Sequence, residues 1–501
     1  MKIKSIFIFT ILALLCSCIK DHSTEPDKAI SEITIVEGSI LPRYDIEKNS
    51  ELIIEPKIIQ SDKQKQLSYA WEIDDKVYST DAKLVYAAES LGSYLCRLVV
   101  SNEDGKAFFP FRLNVNSIYE EGITIISKDP DGNSMLTFML ANPDGSDTGK
   151  FTDYDCFSRE NADEHFASNV SDMTQCSGSL IVACQGGNDD AATIYYLNEK
   201  TFIVENMLTA REYPDFKPVK LQIPSVGHIG SFPIMSADGK IYEFSTTEAT
   251  LMPSTRFIST YSTICTKYDV GISGEYSLLF WDDEVGGLCQ TNGGWPRNYI
   301  CYAGEEYLLR RDSIEADPAY NYFNGRQLIG MFVPRMSQNL QGESPVVVVI
   351  TRNGSVYQKT FLNKDFWIST DFGNRIGDNG GTTSCGLSKP KFTGDCPHIG
   401  VANVTYRSLL FAVDNKIYRW NYTTSNTLAS APEVASVGNG NAIVTSMEVS
   451  QDLTRTYIAW YDPAETGLNG HLTVMDTETN DIITTYDNIC YRPVKVMYKK
   501  K

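Results

Sequence analysis

The residues best suited to chemistry sit at one strand end and in two loops. Asp282-Asp283-Glu284 follow the aromatic strand end Phe280-Trp281, and Trp281, Asp282 and Asp283 are candidates for contact with a ligand. Three acids at a strand exit could hold a cation or serve as acid and base on a glycosidic bond; a solvated turn gives the same pattern. Residues 286–302 read GGLCQTNGGWPRNYICY. Trp295, Arg297 and Tyr299 lie there among Gly, Asn and Pro, where a core aromatic is out of place. Exposed rings with Arg on a loop make a platform for a sugar or a peptide, unless the loop folds back and packs Trp295 on its own sheet. Asp371-Phe372-Gly373-Asn374-Arg375 is a second Gly/Asn-rich loop, and with Phe366-Trp367 it places Trp367 and Asp371 where they could share that rim. Its Asp-Phe-Gly triplet lacks every other kinase element. Asp129-Pro130-Asp131-Gly132-Asn133 spaces its carboxylates like a short calcium loop but lacks the distal bidentate Glu, so it reads first as a tight hairpin.

Other chemistries are poorly supplied. There are five His and no HExxH. No GxSxG, P-loop or GxGxxG in strand–helix context occurs. Cys96, Cys156, Cys176, Cys184, Cys265, Cys289, Cys301, Cys385, Cys396 and Cys490 are scattered without a CxxC pair. They read as small buried hydrophobes, with Cys385 and Cys396 the nearest pair able to bridge. No catalytic residue, metal or cofactor is expected. The formal net charge of −19 argues against nucleic acid and against electrostatic docking on anionic lipid.

One cysteine is of another kind. A basic start, Met1-Lys2-Ile3-Lys4, precedes an apolar run from Ile6 to Leu15 and then Cys16-Ser17-Cys18. This is a secretory signal, too short for a membrane span. Leu15, Ser17 and Cys18 match the lipobox of bacterial lipoprotein signal peptidase. Residues 1–17 are therefore expected to be removed, and Cys18 to carry lipid on its sulfur and amine; two or more acyl chains anchor stably. Residues 18–30, CIKDHSTEPDKAI, read as a tether. Its acids Asp21, Glu25 and Asp27 resemble the export signal that sends Bacteroidetes lipoproteins to the outer face of the outer membrane.

The elements that must position the candidate residues are strands throughout. Residues 31–117 hold short alternating runs, among them Leu67 to Ile73 and Gly92 to Val100, separated by turn signals such as Asn102-Glu103-Asp104-Gly105. That spacing predicts a small β-sandwich. In residues 118–501 a phrase recurs: a turn, then apolar and aromatic residues on a strand. Its clearest copies are Asp238-Gly239-Lys240-Ile241-Tyr242, Asn353-Gly354-Ser355-Val356-Tyr357 and Asp414-Asn415-Lys416-Ile417-Tyr418. Weaker ones lie at 192–197, 470–476, 277–282 and 122–126. Repeats every ~50 residues over ~380 predict a β-propeller of about seven four-stranded blades, with six or eight still allowed and an insertion between Trp281 and Val356. Val494–Tyr498 is expected to pair with the blade begun by Ile123–Ile126 and close the ring. Otherwise it is a free edge guarded by Lys499, Lys500 and Lys501.

Tyr69-x-Trp71, Gly92-x-Tyr94-x-Cys96-x-Leu98-x-Val100 and Asn102-x-Asp104-Gly105 resemble a PKD-type immunoglobulin-like domain. The resemblance implies that Trp71 is core, that the Gly-x-Tyr strand packs like a tyrosine corner, and that the domain is a spacer or interaction module. Lipobox, acidic tether, PKD-like sandwich and acidic propeller together resemble the PKD-like surface lipoproteins of Bacteroidetes, which accompany SusC/SusD-type, TonB-dependent import systems. That implies a non-catalytic accessory lipoprotein of the outer membrane, facing the exterior, that binds glycan or peptide or docks on the transporter. The alternative is a propeller glycoside hydrolase or lyase acting through Asp282, Asp283 and Asp371.

Overall fold

The structure is a computed structural model. It describes residues 30–500 apart from 143–146, 163, 177, 222–230, 246–249, 256, 268–276, 292–299, 304–307, 333–346, 354–355, 363–382, 385–399, 404–407, 422–430 and 451. The chain divides into two compact units, Met1–Asn116 and Ser117–Lys501.

Period-2 alternation builds the first unit, a β-sandwich. A five-stranded sheet runs in the order Arg43–Glu47, Lys106–Asn116, Gly92–Ser101, Ser68–Ile73, Lys76–Ser79, with its first pair parallel. Two-stranded sheets, Glu51–Ile54 with Leu84–Ala87 and Ile33–Ile35 with Ile58–Gln60, supply the other layer. Trp71 is buried between Leu84, Leu98, Phe111 and Leu113, and its indole N–H donates to the Asp81 carbonyl at 2.9 Å. The Tyr94 hydroxyl donates to the Ser90 carbonyl at 2.8 Å, which is the tyrosine corner expected of the Gly-x-Tyr strand. Asn102 Oδ1 accepts the N–H groups of Asp104 and Gly105, so this side chain makes the turn.

The second unit is a β-propeller. Among the described residues it contains seven sheets, each antiparallel. Blade 1 is Arg492–Lys499, Gly122–Lys128, Ser134–Ala141 and Asp147–Asp153, from the inside outwards. Blades 2 to 7 follow in chain order, opening with Val170–Cys176, Pro218–Leu221, Tyr261–Lys267, Gln327–Phe332, Gly400–Asn403 and Ile443–Val449. Each blade's inner region touches that of the next, and blade 7 returns to blade 1 through Ile443–Val449 against Arg492–Lys499. The inner strand carries a register shift near its start in every blade except the sixth, as at Val170/Asp172 and Val444/Ser446. The span from Trp281 to Val356 adds to blades 4 and 5 a fifth strand, Leu308–Leu309, the helix Arg311–Ala316 and the 3-10 turn Pro318–Tyr320.

The repeated Asp-Gly phrase falls at one structural position, the hairpin between the second and third strands of a blade. It does so at Gly239 in blade 3 and at Asp414 in blade 6. The positive φ there (+79° at Gly239, +52° at Asp414) explains the Gly and Asp. The hairpin also stitches neighbouring blades together. The Gly132 carbonyl accepts from Asn169 N at 2.8 Å, Gly239 from Tyr261 N at 2.8 Å and Asp414 from Val444 N at 2.9 Å, each at the first strand of the following blade. Within the blade 1 hairpin Asp129 spends both oxygens on Asp131 N, Asn133 N and the Asn133 amide, so this loop is a turn.

The last strand closes the ring in the expected place. Ile123 pairs with Tyr498 and Ile125 with Val496, so the C-terminal lysines do not guard an open edge. Lys499 is itself buried, its ammonium donating to the Glu120 carbonyl at 2.6 Å. Burial pulls its pKa down to about 8 against the favourable pull of Glu199, Glu120 and Glu121. The unfolded chain therefore holds a proton that the folded chain gives up between pH 8 and 10.5, and stability rises with pH across that window. Urea unfolding at pH 7 and 9.5 should show the wild type gaining about 2 kcal/mol relative to Lys499→Met. Equal pH slopes in the two proteins would exclude Lys499 as the cause.

Candidate functional site

Blade 4 carries the described part of the candidate site. In its second strand, Ser277–Asp282, Leu279, Phe280 and Trp281 are all buried, and Phe280 packs with Met235 and Ile241 of blade 3. Trp281 packs edge-on against Phe323 at 5.3 Å. With 2% of its surface exposed it is core, and it offers no face to a ligand.

Asp282 ends this strand fully buried. Its Oδ1 accepts from the Ser259 hydroxyl and from Glu284 N (3.0 Å) and Val285 N (3.2 Å). Its Oδ2 accepts from the Tyr302 hydroxyl at 2.7 Å and from Arg311 Nη1 at 3.3 Å. Arg311 continues outwards to Glu284 at 2.7 Å and Glu315 at 2.6 Å. Hydrogen bonding to Arg311 holds the Glu284 carboxyl below its ordinary range, and burial pushes the Tyr302 hydroxyl up. Five donors occupy the acceptor sites of Asp282, which leaves none facing a ligand. Asp283 faces solvent beside it, and partial burial together with the Asp282 charge raises its pKa.

The Asp282–Arg311 pair fixes the connection from blade 4 to blade 5. Asn321, also buried, adds a second anchor by donating to the carbonyls of Val285 (2.9 Å) and Gly286 (3.2 Å). Held this way, the segment presents Tyr320, 54% exposed, and Tyr322, with the Arg326 guanidinium 5.3 Å above the Tyr322 ring. This aromatic–Arg rim was not singled out from the sequence. Its signal was there: Asp317-Pro318-Ala319-Tyr320-Asn321-Tyr322-Phe323-Asn324-Gly325-Arg326 mixes rings with Pro, Asn and Gly just as residues 286–302 do.

Cys18, Trp295, Arg297, Tyr299, Trp367 and Asp371 lie outside the described residues, as do Cys385 and Cys396. The structure therefore brings together Trp281, Asp282 and Asp283 alone among the candidates. Among the described residues no group of His, Cys, Asp and Glu is placed to hold a metal ion, and no helix is long and apolar enough to cross a membrane. Cys96, Cys156, Cys176, Cys184, Cys289 and Cys490 are free thiols, all buried except the half-buried Cys176.

Residues 38–102 match a family model described as a PKD-like domain. This agrees with the buried Trp71 and the Tyr94 corner. A search among curated proteins finds no match. Solved structures similar to the chain include a quinoprotein alcohol dehydrogenase-like protein from Bacteroides thetaiotaomicron, 13% identical, with a TM-score of 0.42 over 94% of this chain and 99% of that one. A candidate 6-phosphogluconolactonase from Bacteroides fragilis is 10% identical, with a TM-score of 0.45 over 76% of this chain and 99% of that one. The Dos1 propeller is 12% identical, with a TM-score of 0.36 over 68% and 91%. The propeller itself is read from the sheet order and the closing strand.

Proposed function

We propose that this chain is a lipoprotein, anchored through Cys18 in the outer membrane and facing the cell exterior. In this reading the PKD-like sandwich is a spacer and the propeller is a non-catalytic binding or docking module of a SusC/SusD-type import system, taking glycan or peptide. The observation that carries the non-catalytic part is the saturation of Asp282. The strongest acid candidate is committed to five donors and serves to hold a loop bearing Tyr320 and Tyr322. The exposed Tyr320 beside the half-buried Tyr322, on a rigidly anchored loop, suits recognition at low entropic cost. Among the described residues the hydrolase or lyase alternative is left with Asp283, since Asp371 lies outside them, and one carboxylate does not make an acid–base pair.

Two experiments test this reading. Metabolic labelling with a palmitate analogue should tag the wild type and not Cys18→Ala, which should leave the membrane fraction; labelling of both would sink the anchor. A pull-down from solubilised outer membranes by the tagged lipoprotein should recover a TonB-dependent transporter subunit, and recovery of none would sink the importer assignment.

A further inference from the structure

Among the described residues, a pair of cations at one end of blade 1 has no acidic partner. Lys128 ends the second strand of that blade and Arg492 begins the inner strand, and the two are directly opposed in the antiparallel ladder. Like charges placed opposite each other destabilise a sheet. In the comparable places of blades 5 and 7 the ladder pairs Gln327 with Arg352 and Ile443 with Tyr461, so the doubled positive charge belongs to blade 1.

Nearby carboxylates do not relieve it. Asp129, the next residue, spends its oxygens on its own hairpin. Asp462, beside Tyr461, accepts from Ala464 N at 2.8 Å and the Asn439 amide at 2.6 Å. Asp172 takes Lys495 at 2.6 Å. Among the described residues neither Lys128 nor Arg492 forms an ion pair. Lys128 has only the Asn169 amide oxygen, at 3.4 Å, and the exposed Arg492 lies 5.0 Å over the Tyr461 ring. Burial, then Arg492, lowers the Lys128 pKa, so the charge is felt and not neutralised.

We propose that Lys128 and Arg492 form a binding site for the carboxylate of a small acidic ligand, with the Asn169 amide and the Tyr461 ring as its polar and apolar walls. An ammonium beside a planar guanidinium fork fits a carboxylate, and such charge-assisted bonds are the strong ones. The chain's net charge of −19 favours a singly charged group over a multiply charged one. The site goes beyond the importer reading and stands or falls without it.

The test is thermal unfolding of the full chain with millimolar sodium glucuronate, sodium sulfate or glucose at constant ionic strength. Glucuronate should raise the propeller Tm and glucose should not. Lys128→Met and Arg492→Gln should each cut the glucuronate shift at least about fourfold. Without ligand both variants should unfold at or above the wild-type Tm, because removing either cation relieves the repulsion; a purely structural role would lower it. No glucuronate shift in the wild type, an equal shift with glucose, a shift with sulfate alone, or a shift kept by both variants would overturn the proposal.

Discussion

Replacing Asp282 with alanine is expected to destabilise the propeller by about 3–5 kcal/mol, the range for breaking a buried, hydrogen-bonded ion pair. The substitution strands Ser259, Tyr302 and two backbone N–H groups, and it frees Arg311 from the charge that draws it inwards. Asp282→Asn should cost less, since an amide oxygen still satisfies one set of donors, while its NH2 faces the others. Arg311→Met should also destabilise by leaving the buried carboxylate uncompensated, and the double variant Asp282→Asn/Arg311→Met should lose less than the sum. Urea unfolding followed by circular dichroism, with the sandwich and propeller transitions fitted separately, reads all four proteins. The sign decides between two roles. A carboxylate kept for catalysis commonly stabilises the fold when removed, because active sites are strained. A gain, or a loss below about 1 kcal/mol, would therefore return Asp282 to the list of acid–base candidates.

The same residue marks the limit of what the sequence discloses. Trp71 and Tyr94 were legible because a sandwich strand shows one face to the core, and its alternation names that face. The Asp-Gly hairpins were legible because a positive φ restricts residue choice locally. Blade spacing was less regular, since copies at 193–198 and 241–245 are third strands while those at 122–128 and 277–282 are second strands. Trp281 misled because a propeller's inner strands are covered on both faces, so Leu279-Phe280-Trp281 is a buried run and not a strand leading to a rim. The environment of Asp282 was illegible in principle. Its partners Ser259, Tyr302 and Arg311 stand 20 to 29 residues away and meet it only through the blade and its outgoing helix. The unmatched charges of Lys128 and Arg492 are further apart still, joined only by ring closure.

That closure yields the largest expected effect. A chain ending at Tyr491 lacks the strand Arg492–Lys499, which pairs with Gly122–Lys128 and touches the inner strands of blades 2 and 7. Val496 and Tyr498 belong to one core with Ile123, Ile125, Tyr457 and Leu472. Each large apolar side chain is worth about 1.5–3 kcal/mol of burial, so with Met497 and the ladder the loss approaches the whole net stability of a domain, about 5–15 kcal/mol. Calorimetry should show the propeller transition abolished and the sandwich transition retained, because the core around Trp71 contains no residue of the deleted strand. A propeller that still melts cooperatively would show the strand to be dispensable. Rescue separates lost contacts from lost connectivity. Lys499 is opposite Gly122, so the strand's end and the start of its partner are neighbours. Moving residues 492–500 to between Asn116 and Ser117 would turn that pair into an ordinary hairpin and should restore the transition.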